Sequence, residues 1–151
     1  MTLYAVIKFV HVLLAIVAVG FTASYGISIA RAAREPQHLG HVLRSVKALD
    51  DRWTTPAYVL LFVTGVANVL VGSLDLTTFW IAAAITLWAL LVVGGYGVYA
   101  PTLRRQIAAL DAGGPTSPEY ARSAARGRLV GIVLATLLIV IVFLMVTKPS
   151  F

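Results

Sequence analysis

Four stretches of this chain, residues 3–29, 54–72, 78–100 and 129–147, are apolar and nearly free of charge over lengths that match a bilayer crossing. A hydrocarbon core about 30 Å thick needs roughly 20 such residues in a helix rising about 1.5 Å per residue. Lipid also dictates the helix, because no water is there to satisfy exposed backbone N–H and C=O groups. The chain is therefore expected to be all-α: a polytopic membrane four-helix bundle forming one transmembrane domain over residues 1–151. With 60% hydrophobic and 12% charged residues, it is too apolar for a soluble domain of its size. The first run holds Lys8 and His11 and is longer than a crossing needs, so it must tilt or protrude. No basic segment precedes it, and it reads as a permanent helix, not a cleaved signal.

Charge placement gives an orientation. Ten of the twelve Lys and Arg residues lie in two segments. Arg31, Arg34, Arg44, Lys47 and Arg52 fall between the first two runs, and Arg104, Arg105, Arg122, Arg126 and Arg128 between the last two. The turn between runs two and three carries only Asp75. Short basic segments stay cytoplasmic, which predicts both termini on the outer side. The net charge of +6 is then a topology signal with some attraction to anionic lipid. Nucleic-acid binding is not expected, since no aromatic-interleaved basic face accompanies it.

The basic segments carry pattern of their own. Leu39, Val42, Leu43, Val46, Leu49 and Trp53 recur at helical spacing, predicting an amphipathic cytoplasmic interfacial helix that starts at Pro36. Its stripe would lie in the headgroup boundary or on the end of the bundle. The third helix is expected to continue past Pro101 until Gly113-Gly114-Pro115 stops it. The fourth should start near Thr116-Ser117-Pro118-Glu119, which supplies caps and a first-turn acid, and run to Thr147.

Polar side chains inside lipid cost free energy unless paired, so they are the pointers to function. Tyr4, Lys8, His11, Ala15, Ala18, Thr22 and Tyr25 share one face of the first helix, which should point into the bundle, while Val6, Leu13 and Val17 face lipid. His11 and Asn68 fall at comparable depths. The Asn68 carbonyl would then accept the His11 ring N–H and leave the other nitrogen free to bind; a hydrogen bond that merely joins helices is the plainer alternative. Other chemistry is disfavoured. Zinc needs three or four ligands, and His38 and His41 lack a third. Copper(I) favours Cys and Met, of which the chain has none and two. Hydrolysis needs a carboxylate, and no span contains one. Gly94, Gly95 and Gly97 read as packing or bending positions within the third helix. Trp53, Trp80 and the tyrosines near span ends read as interfacial anchors, with Trp88 packed deeper.

The run Lys8-Phe9-Val10-His11-Val12-Leu13 followed by Gly20 resembles the opening of an uncharacterised bacterial family of predicted four-helix integral membrane proteins. More distantly it is similar to the CopD-type copper-resistance and HemJ-type protoporphyrinogen oxidase membrane proteins. The resemblance implies a bacterial inner membrane location. In the HemJ type a first-helix histidine ligates haem b, so it also implies His11 as a haem-iron ligand. Lys8, one turn away, would face a propionate, or would snorkel to the headgroups instead. This chain departs from the oxidases in having no Lys or Arg between Thr54 and Pro101, which weakens the case for that activity.

Two expectations result. One is a haem b-binding membrane protein with redox or electron-transfer chemistry near the outer face, through His11, Lys8 and Asn68. The other is a non-catalytic accessory or assembly subunit of a larger membrane complex, or a homo-oligomer, meeting its partners through exposed apolar helices and the amphipathic segment.

Overall fold

The structure is a computed structural model, and it describes residues 2–149. The described residues form six α-helices: α1 (Leu3–Ala32), α2 (Pro36–Leu49), α3 (Thr55–Val71), α4 (Phe79–Gly94), α5 (Ala100–Gly113) and α6 (Pro118–Thr147). Among the described residues there is no strand. Two single π-helical turns, Asp50–Thr54 and Gly95–Tyr99, fuse α2 to α3 and α4 to α5. The chain thus crosses the membrane in four continuous helices, Leu3–Ala32, Pro36–Val71, Phe79–Gly113 and Pro118–Thr147, each long and apolar enough to span. The terminal end of the bundle carries the start of α1 and the end of α6, and the basic end carries α2, α5 and the first turns of α6.

Local chemistry sets the boundaries. Thr2 accepts the Ala5 N–H at the start of α1, at 3.3 Å. Ser117 accepts the Tyr120 N–H at the start of α6, at 3.2 Å, with Pro118 in the first turn. Gly114, at φ 76°, closes α5 in a conformation that disfavours any side chain. Both π turns run into a proline, Pro56 and Pro101. A proline has no N–H to give the carbonyl four residues back and its ring crowds that carbonyl. The widened turn removes the conflict: the N–H of Thr55 reaches the carbonyl of Asp50, and that of Ala100 reaches Gly95.

The amphipathic segment forms as expected at Pro36, but it is a rigid extension of the second span and not a separate interfacial helix. Its stripe packs on the end of the bundle, where Leu39, Leu43 and Val46 are buried with Tyr25, Ala32, Leu103 and Tyr120. Trp53 departs from the stripe and is 63% exposed. A π turn inserts one extra residue, which advances the helical phase by about 100° and swings Trp53 outward.

Inside the membrane α1 packs along α3, and α4 along α6, through side chains that fill glycine notches. Leu134 lies against Gly94, Tyr4 against Gly72 and His11 against Gly65. Small residues let helices approach in lipid, where apolar burial alone does not drive association. Between the two pairs, Phe62 of α3 stacks on Trp88 of α4 with ring centroids 4.2 Å apart. Trp88 therefore packs in the bundle as expected, and Trp80 sits at the terminal end with the Lys148 ammonium 5.5 Å from its ring centre.

Candidate functional site

The face of α1 expected to point inward does so through Tyr4, His11, Ala15, Ala18, Thr22 and Tyr25, which are buried or half-buried, while Val6, Leu13 and Val17 are exposed. Lys8 is the exception. It is exposed, with its ammonium 5.8 Å from the centre of the Tyr4 ring. Its long stem reaches outward from a helix start where the headgroups lie.

His11 does not meet Asn68. Its Nδ1 lies 3.0 Å from Thr64 Oγ1, one turn deeper along α3 than Asn68, and its ring packs on Gly65. The Thr64 hydroxyl has one proton, and that proton is committed to the helix: Thr64 Oγ1 lies 2.8 Å from the Leu60 carbonyl and 3.1 Å from that of Leu61. A hydroxyl that donates to a carbonyl must accept from the imidazole. Nδ1 therefore carries the ring proton, and Nε2 is left with the lone pair, the state that binds a metal ion. Asn68 Oδ1 and Trp88 Nε1 are buried without a hydrogen-bond partner, an acceptor on α3 and a donor on α4.

These observations bear on a haem in two ways. The donor fits, since a neutral imidazole with Nε2 free is what haem iron takes. The α1–α3 seam does not enclose a porphyrin, because the His11 ring itself occupies the Gly65 notch and Ala18 is 0% exposed. A haem on Nε2 would lie outside that seam. Among the described residues no group of three or more His, Cys, Asp or Glu could hold a metal ion. His38 sits 3.9 Å from Glu35 and His41 3.5 Å from Ser45, both on the exposed face of α2.

A separate opening lies elsewhere. A cavity of about 670 Å³ lies at the basic half of the bundle, between α1, α6 and the two π turns, and His11, Lys8 and Asn68 do not line it. Tyr25, Tyr58 and Tyr99 do, so these tyrosines point inward and are not interfacial anchors. Tyr58 bonds Thr22 at 2.9 Å, and Tyr25 bonds Thr54 at 2.5 Å. Asp50, Asp51, Arg104 and Arg128 complete its charged rim. Asp51 is paired with Lys47. Asp50 lies just outside the apolar run that begins at residue 54. Sequence patterning misses this site because its parts come from five α-helices and both π turns; the available signal is the proline following each π turn, since such turns cluster at functional sites.

Tyr25→Phe tests the inner wall. Thr54 is 1% exposed, and losing its partner leaves a buried hydroxyl short of a hydrogen bond, at an expected cost of about 1–2 kcal/mol. Denaturant titration of the purified protein in mild detergent reads that loss; an unchanged midpoint would show that the bond contributes nothing.

No curated protein and no solved structure matches the chain. The family model described as Predicted integral membrane protein (DUF2269) matches residues 5–149. With four spanning helices over the same stretch, the chain belongs to that family of integral membrane proteins.

Proposed function

We propose that this protein binds haem b through His11 Nε2 and serves redox or electron-transfer chemistry at the terminal end of the bundle. The single observation that carries this reading is the commitment of the Thr64 hydroxyl proton to the helix backbone, which leaves Nε2 of an intramembrane histidine as a free donor. The resemblance of the Lys8–Leu13 segment to HemJ-type proteins supports it. Lys8 would pair with a propionate. When bound, the haem would supply a one-electron centre, and His11 would supply its ligand nitrogen, with Thr64 setting the tautomer. The positive-inside rule puts the terminal end on the outer side of a bacterial inner membrane.

The test is the reduced-minus-oxidised visible spectrum of protein purified from haem-replete cells. A haem b band is the expected result, and a colourless preparation would overturn the proposal. The second reading, an accessory subunit in a larger complex, draws on the exposed apolar face of α1, where Leu3, Phe9, Ile16 and Ile27 are each more than 60% exposed. A partner that co-purifies in mild detergent would favour it.

A further inference from the structure

The cavity at the basic end is independent of His11 and combines three features that together specify a ligand. Its volume, about 670 Å³, lies within the range of small-molecule sites, roughly 300–1,000 Å³. Toward the apolar runs its wall is made of small residues, Ala23 and Gly26 from α1 with Gly131 and Ala135 from α6, so a slender apolar chain enters from the bilayer without displacing bulky side chains. At its rim the charges do not cancel. Lys47 neutralises Asp51, and Asp50 alone stands against Arg104 and Arg128, which form no ion pair among the described residues, so the rim keeps a surplus of positive charge. Two guanidinium groups beside an apolar chamber call for an anion that carries a hydrocarbon chain, since Arg forks suit carboxylate and phosphate alike.

We propose that this cavity binds a single-chain anionic amphiphile, its carboxylate or phosphate head on Arg104 and Arg128 and its chain between α1 and α6. The position at the basic end places the head at the level where membrane lipids present theirs. Tyr99, which lines the same chamber, flanks the entering chain.

A photoreactive diazirine palmitate added to the protein in nanodiscs of zwitterionic phosphatidylcholine tests this directly. Crosslinks are expected on peptides from residues 22–33 and 120–135, competed by oleate or by oleoyl lysophosphatidate but not by oleyl alcohol. The stronger of the two competitors identifies the head as carboxylate or phosphate. Arg104→Gln with Arg128→Gln should cut crosslinking at least tenfold, while Arg104→Lys with Arg128→Lys retains most of it. Gly26→Leu provides a second arm, because nothing lies within 4 Å of a Cβ added there; the side chain fills the chamber without a clash and should abolish crosslinking. Equal competition by oleyl alcohol, unchanged crosslinking in Gly26→Leu, or labelling centred on lipid-facing positions such as Leu90 and Val93 would each overturn the proposal.

Discussion

Truncating Leu43 to alanine is expected to destabilise the folded protein by about 2–5 kcal/mol, the range for a fully buried leucine. Leu43 is 0% exposed and sits in the cluster formed by the end of α1, α2, α5 and the start of α6. That cluster lies beyond the apolar runs, on the basic end of the bundle, where the unfolded chain meets water. Removing the side chain there forfeits its transfer free energy and also leaves a hole whose walls no longer touch anything. Leu138 is the natural comparison. It is 6% exposed, but it lies within a span, and an unfolded segment in lipid keeps it among hydrocarbon. Only the packing contribution remains, so Leu138→Ala should cost about half as much or less. Unfolding in mixed micelles, followed by tryptophan fluorescence and circular dichroism, measures both. Equal losses would mean that α2 is embedded in the headgroups and not packed as an aqueous cap.

The spans, the caps of α6 and the buried stripe of α2 are legible because each is a local pattern: hydropathy, a hydroxyl before a proline, an apolar repeat. What stays hidden depends on how one helix registers against another. The depths of His11 and Asn68 match when each helix is counted from its own end, yet the real register is set by two side chains falling into two glycine notches. Tyr4 meets Gly72 and His11 meets Gly65, a spacing of seven on both helices that locks α1 and α3 antiparallel. Counting from the ends misses by about one turn, roughly 5 Å, and exchanges Asn68 for Thr64. The π turns are hidden for a related reason. In sequence Pro56 reads as a span residue and Pro101 as a tolerated kink, and the phase jump that each brings is invisible to a 3.6-residue repeat. That jump is what turns Trp53 out and helps bring Asp50, Tyr58 and Tyr99 around one chamber.

His11→Ala is expected to reduce the haem b band to less than a tenth of its normal intensity while leaving the four spans assembled. The stronger discrimination comes from Thr64, which touches the ring and not the iron. Thr64→Val keeps the shape of the side chain but removes the oxygen that accepts the Nδ1 proton. The imidazole then keeps only the Leu61 carbonyl as a partner, its tautomer is held less firmly, and part of the population presents a protonated Nε2 that cannot ligate. Loss of such an orienting partner typically weakens metal binding about 10–100-fold. Thr64→Ser restores the acceptor and should restore the band, whatever the small change in packing. The measurements are haem content per chain and the reduction potential of each variant. If His11 and Thr64 serve only to join α1 to α3, the three variants differ in stability alone, by about 0.6–2 kcal/mol, and none changes a chromophore. A serine rescue of colour, as opposed to stability, separates the two cases, because helix joining requires a hydrogen bond of either direction whereas ligation requires that the proton sit on Nδ1.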